Sequence, residues 1–272
     1  MDERHHLGYQ RWLQNRGLAP NTVTQRTRFA HMADRRIGDL SVATTSDLLS
    51  WLSGYDGWTR FCYHKALTSV LDYLVATQIR PDHPLRIDGV RKPKQPKPVP
   101  NPLTLAEENL VLLRADHRQL VWLLLGLRQG LRAHEIAKVR GEDVTARAFT
   151  VVGKGAKTAV LPTHPDVWVI AQRMPASGWW FPSPRSRSGH IYGSSLSISI
   201  GKLYKTCGIT DRGSIHRARA TFGTTLARNG TPLHVVQQLL RHESLASTQH
   251  YLGVDPDELA AAIRCLGPGS AA

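Results

Sequence analysis

Six polar residues stand where the sequence predicts element ends or turns: Arg132, Lys154, His216, Arg219, His242 and Tyr251. Taken singly, each has an ordinary role. An arginine at a helix end decorates a surface, a lysine in a turn faces solvent, and a histidine in a helix packs or is solvated. One pair says more. His216 and Arg219 lie three apart in one predicted helix, so their side chains share a face, while Arg217 between them points elsewhere. A histidine beside an arginine suits a phosphate. The guanidinium is a planar fork for two non-bridging oxygens. The imidazole can bond a third oxygen or move a proton.

These residues need elements to hold them. Thr104-Leu105-Ala106-Glu107 is a capping box that starts a helix. Leu120 to Leu127 reads as a buried helix leading into Gly130-Leu131-Arg132. Ala148 to Val152 and Thr158 to Leu161 are rich in β-formers and flank Gly153-Lys154-Gly155-Ala156-Lys157, which predicts a hairpin with lysine in its turn. Residues 179–193 read as loop. Ser214 caps a predicted helix that runs to Asn229 and stops at Gly230. Thr231-Pro232 starts the next, with Leu233, Val236 and Leu240 on one face. Ser247 caps a short helix carrying Tyr251, and Asp255-Pro256 starts a last amphipathic piece with Leu259, Ile263 and Leu266.

The first ninety residues read as helical. Tyr9 to Gln14 is one helix, Asn21 caps a second that runs to about Ala33, and a longer one begins near Trp58. In that last helix Tyr63, Leu67, Val70 and Leu74 share a face. Between the halves, residues 91–102 hold five prolines, which forbid a helix and favour extended chain. The expected organisation is a helical domain over 1–90, a linker over 91–102 and a second domain over 103–272. The fold class is mainly α with a small antiparallel β-sheet: an all-α domain, then an α+β domain.

The chain has 272 residues and a net charge of +14, with a pI near 10.2, which favours a polyanionic partner. That charge is uneven. Residues 1–90 carry +2, the linker +4 and residues 103–272 +8. The linker residues Arg91, Lys92, Lys94 and Lys97 suit a strap against phosphates. No apolar run is long enough to cross a bilayer, and no signal-peptide core follows Met1. Cys62, Cys207 and Cys265 are too few and too far apart for a disulfide framework or a zinc site, so a reducing cytoplasm is the expected compartment. The lysine turn lacks GxxxxGK[ST] spacing, and His242-Glu243 lacks the second histidine of a zinc protease. Neither metal nor cofactor is expected.

Five segments, in order, resemble the tyrosine recombinases of the phage-integrase family. Gly130-Leu131-Arg132-Ala133-His134-Glu135-Ile136 is similar to "GLRxxEL", and Val152 to Lys157 to the family's hairpin-lysine motif. His216-Arg217-Ala218-Arg219-Ala220-Thr221-Phe222 is similar to "HxLRHTF". Leu239-Leu240-Arg241-His242-Glu243-Ser244 is similar to "LLGHxS", and Thr248 to Tyr251 to the nucleophile segment. The helical first part and basic linker look like the family's core-binding domain and hinge. Three positions depart from the pattern: Ala220 stands for His, Ala218 for Leu, and Arg241 for Gly.

The resemblance implies attack of the Tyr251 hydroxyl on a DNA phosphodiester, giving a 3′-phosphotyrosine and a free 5′-hydroxyl. It implies Arg132 and Arg219 as the phosphate clamp, His216 as base, Lys154 as acid, and His242 as donor to a phosphate oxygen. Glu135 would orient the cations, and Lys157 and Arg241 would join the linker on DNA. The implied partner is double-stranded DNA with inverted core half-sites, clamped between the two domains of each of four protomers, with or without an accessory directionality factor. The residues after Tyr251 would dock on a neighbouring protomer or pack on their own domain. The length leaves room for two domains and no arm-binding domain, which suits a core-site system. Alternatives are an Xer-like resolvase of DNA dimers, a type IB topoisomerase and a non-catalytic DNA-binding regulator.

Overall fold

The computed structural model describes residues 1–96, 100–153, 158–210 and 213–241. The chain divides into two compact units, Met1–Lys97 and Pro98–Ala272. The division falls inside the proline-rich stretch. No helix among the described residues is long and apolar enough to cross a membrane.

The first unit holds four helices: α1 (Glu3–Asn15), α2 (Pro20–Ile37), α3 (Thr45–Ser53) and α4 (Gly57–Ala76). Three boundaries differ from the sequence reading. The first helix starts at Glu3 because the Asp2 side chain accepts from the backbone N–H of His5. The second starts at Pro20, with Ala19 as N-cap, because proline at the first helical position presets φ and needs no donor. Asn21 therefore lies inside that helix, which continues to Ile37 and stops at Gly38. Leu67, Val70 and Leu74 of α4 are fully buried beside Tyr9, Leu13 and Leu48, and Tyr63 packs at the margin of this core. Two buried polar groups of this unit are paired: Tyr9 Oη donates to Ser69 Oγ at 3.0 Å, and Arg80 donates to the carbonyl of Leu40 at 2.9 Å.

The second unit holds α5 (Leu105–Arg114), α6 (His117–Leu127), the single turn α7 (Ala133–Ile136), strands β1 (Ala148–Val152) and β2 (Thr158–Pro162), and α8 (Pro165–Ala171). Then come α9 (Gly193–Thr206), α10 (Ile215–Arg228) and α11 (Leu233–Leu240). The Thr104 capping box forms, with Glu107 Oε2 accepting from the Thr104 N–H at 2.8 Å. The strands pair antiparallel, from Ala148 opposite Pro162 to Val152 opposite Thr158. Pro232, not Thr231, is the N-cap of α11, its φ of −55° and ψ of 138° leading directly into Leu233.

Helix α6, with Val121, Leu123 and Leu125 buried on opposite sides, forms the centre of this unit, and α10 lies against it. Gly126 permits the approach: a Cβ there would sit 2.9 Å from Ala218 Cβ. Just beyond α6, Gly130 has φ +63°, and a Cβ there would fall 2.6 Å from Phe222 Cδ1. Both the left-handed backbone and the ring exclude a side chain. Gly130→Ala is expected to destabilise this unit by about 2–4 kcal/mol through strain plus overpacking. Thermal melting checks it, and a variant that melts with the wild type would refute the account.

Candidate active site

Arg132 follows the Gly130 turn and is the N-cap of α7, an element end as its sequence context predicts. Its backbone N–H donates to Glu135 Oε2 at 2.7 Å, and its Nη1 donates to Glu135 Oε1 at 3.0 Å. The turn is thus closed by the glutamate that the Arg132 guanidinium also grips. The Glu135 side chain is wholly buried.

Two more arginines converge on the same carboxylate. Arg219 comes from α10, whose N-terminus is set by Ser214 Oγ accepting from the His216 N–H. Its Nη1 donates to the Gly130 carbonyl and its Nη2 to the Leu240 carbonyl. Its Nη1 also lies 3.9 Å from Glu135 Oε2. Arg241 ends α11 in a left-handed conformation, with Nη2 donating to Glu135 Oε2 at 2.8 Å and to the Gly130 carbonyl at 3.2 Å. Sequence reading had placed Arg241 on the DNA backbone; in the structure its side chain turns inward.

Three guanidinium groups against one carboxylate leave two net positive charges in a largely buried pocket. Exposure separates their duties. Arg132 is 29% exposed, Arg241 11% and Arg219 4%. Arg132 is therefore the guanidinium most open to an incoming anion, and Arg219 is held by backbone carbonyls from two different elements. Burial pushes the Glu135 carboxyl up, but Arg241, then Arg132 and Arg219, outweigh it and hold the group below its ordinary range. Glu135 is ionised at neutral pH.

His216 lies one turn before Arg219, at the exposed edge of α10. The protein packed behind it, with Arg219 and Arg132, pushes its pKa below the usual histidine value. The ring is therefore neutral at pH 7 and able to accept a proton. Arg217 turns away, as its spacing implied. It donates to the carbonyls of Asn101 and Pro102 and pairs with Glu107 at 3.3 Å, which ties the start of this unit to α10.

The structure thus brings together Arg132, Glu135, His216, Arg219 and Arg241. Lys154, Lys157, His242, Tyr251, Lys97 and the predicted pieces after Ser247 lie outside the described residues. Arg91, Lys92 and Lys94 are exposed on extended chain in the first unit, with Lys92 Nζ 5.9 Å from the Phe61 ring centre. One positioning residue escaped the sequence reading. Gln129 is buried; its Nε2 donates to the Pro162 carbonyl at 2.7 Å and its Oε1 accepts from the His164 N–H. It fastens the end of the hairpin to the turn that carries Arg132. A lone glutamine after an apolar helix has no local signature that could have revealed this.

The description "Phage integrase family" matches residues 105–258. A tyrosine recombinase XerC of Brucella suis is 30% identical over 191 residues, which cover 63% of this chain and 60% of that protein. The match thus spans less than two thirds of that relative. A tyrosine recombinase of Pseudothermotoga lettingae is 30% identical over 213 residues, covering 74% of this chain and 72% of its own. Among solved structures, the integrase from mycobacterium phage Brujita is 35% identical, covers 96% of this chain and 91% of its own, and has a TM-score of 0.51. The Tn1549 transposon integrase, solved with a circular intermediate DNA, shares the fold at 19% identity and a TM-score of 0.68, over 96% of this chain and 99% of its own. With the match at residues 105–258 spanning more than half its length, the chain belongs to the phage integrase family, that of the tyrosine recombinases.

Proposed function

We propose that this protein is a site-specific DNA recombinase that cuts and rejoins strands through a 3′-phosphotyrosine on Tyr251, in the service of a phage or mobile element. The convergence of Arg132 and Arg219 on buried Glu135, at positions matching two family motifs, carries the reading. In the reaction the Tyr251 oxygen attacks phosphorus and the bond to the 5′ oxygen breaks. His216 takes the tyrosine proton and Lys154 gives one to the leaving 5′ oxygen. A 5′-hydroxyl from the partner strand then reverses the step. The ester bond is conserved, so no nucleotide is consumed. The negative charge that builds on the phosphate oxygens meets the guanidinium groups, with His242 as a further donor.

The same reading assigns core-DNA binding to the first unit and catalysis to the second. Arg91, Lys92, Lys94, Lys97 and Lys157 would contact phosphates. Four protomers would act on paired inverted half-sites in a bacterial cytoplasm. Resemblance over 96% of the chain to a phage integrase favours integration. Resemblance to proteins named XerC favours resolution of DNA dimers as the second reading. Sequencing the junctions of a mobilised element separates them.

A nicked suicide substrate, whose 5′-hydroxyl fragment diffuses away, is expected to trap the wild-type protein on DNA. No adduct would overturn the reading. The trapping rate should also report His216. A base works deprotonated, and a depressed pKa moves the acid limb to lower pH. The acid limb of the rate is expected to be centred below 6.5, the ordinary histidine value. A limb centred above 6.5 would remove His216 from that role.

A further inference from the structure

Arg241 stands where the family pattern has glycine, and its backbone bears the cost. Its φ of 52° and ψ of 48° lie in the left-handed region that glycine occupies freely and arginine does not. An arginine at a helix end has an easier option, which is to reach into solvent beside the last carbonyls. Here the side chain is nearly buried instead. Its Nη1 donates to the Leu239 carbonyl at 2.9 Å, and its Nη2 serves both Gly130 O and Glu135 Oε2. Its Nε is buried without a hydrogen-bond partner among the described residues. Backbone strain, desolvation and an unsatisfied donor all oppose this arrangement, so the contact with Glu135 must offset them.

The consequence for Glu135 is electrostatic. Without Arg241, the buried carboxylate would face, of the described arginines, only Arg132 and Arg219, and would cancel much of the charge of the one that is open to solvent. Arg241 occupies Oε2 together with the Arg132 backbone N–H. Among the described residues, Arg132 is left with a single side-chain bond to Oε1, and its Nη2 makes a long 3.5 Å contact with the Arg241 carbonyl. One edge of the Arg132 guanidinium is thereby kept available.

We propose that Arg241 is a positioning residue that balances the Glu135 charge, so that Arg132 keeps its own charge and one free edge for the scissile phosphate. This rests on the recombinase reading above. Arg241 supports the chemistry through Glu135 and does not itself touch DNA.

The test is single-turnover trapping on the suicide substrate, with DNA affinity measured separately. Arg241→Gly suits the left-handed backbone and is expected to fold. It should bind DNA within about threefold of wild type but cleave about tenfold more slowly, the usual scale for a partner of an active-site ligand. Arg241→Lys keeps the charge and should recover part of the rate. In a Glu135→Gln background, where no charge needs balancing, Arg241→Gly should cost little further. A merely structural anchor would show the same loss in both backgrounds. Wild-type trapping with an unchanged Arg241→Gly rate, or with equal losses in both backgrounds, overturns this inference alone. Absence of any wild-type adduct overturns the recombinase reading and the inference with it.

Discussion

A Tyr251→Phe protein is expected to bind its recombination site like the wild type and to form no covalent adduct. The phenol oxygen is the atom that becomes bonded to phosphorus, so its loss removes the step. The expected drop in trapping is at least about 10⁴-fold, as for other nucleophile deletions. Binding rests on backbone and base contacts that the hydroxyl does not make. The other tyrosines are poor substitutes. Tyr9, Tyr73 and Tyr204 are buried, and burial pushes the pKa of each above the ordinary value. Tyr63 stacks on Trp51 and Tyr55 meets the same ring edge-on in the first unit. Tyr192 is different. It is 54% exposed in the second unit, and its neighbour Gly193 lies against the backbone of Ala133 and His134. Denaturing gels of trapped DNA decide the matter. An adduct that persists in Tyr251→Phe would move the nucleophile, and Tyr192 would be the next residue to change.

Glu135→Ala is expected to destabilise the second unit by about 3–5 kcal/mol, because it leaves three neighbouring guanidinium groups without their shared buried counter-charge. For a unit of this size each kcal/mol shifts Tm by roughly 2–4 °C, so a fall of roughly 6–20 °C should be seen. Glu135→Gln keeps the shape and should fall less. The sign of the pH dependence follows from the depressed carboxyl. Its contribution is present in full above the unfolded value of 4.5 and is lost as pH drops towards the lower folded value. The gap between wild type and Glu135→Gln should therefore shrink below pH 4.5. Adduct formation should fall sharply in Glu135→Ala, since the Arg132 turn loses its closing bond. A variant melting within about 2 °C of wild type would show that Glu135 does not hold the cluster together.

Several elements were legible because their causes are local. The Thr104 capping box, the Ser214 cap and the strands 148–152 and 158–162 each depend on neighbours within a few residues. Where two local signals competed, the backbone chose the cheaper one. Pro20 overrode Asn21 as the start of α2, and Pro232 displaced Thr231 as the cap of α11. Helix α9 carried no start signal at all. Its serine-rich sequence has modest propensity, and it forms by burying Leu196, Ile200, Leu203 and Tyr204 against the rest of the unit.

The order and spacing of five motifs, the uneven charge, the proline-rich division and the His216–Arg219 face are all legible before folding. Each is written in residue types and short spacings. What those residues do to one another depends on the packed chain. Arg219 reaches carbonyls 89 and 21 positions away, and Arg241 finds Glu135 across 106 positions. Such pairings have no local signature, because they exist only once α7, α10 and α11 pack around a single carboxylate. Burial then sets their strength: one carboxylate withdrawn from water orders three arginines, whose charges and hydrogen bonds outweigh the burial and hold its pKa down, and Arg132 is left facing outward.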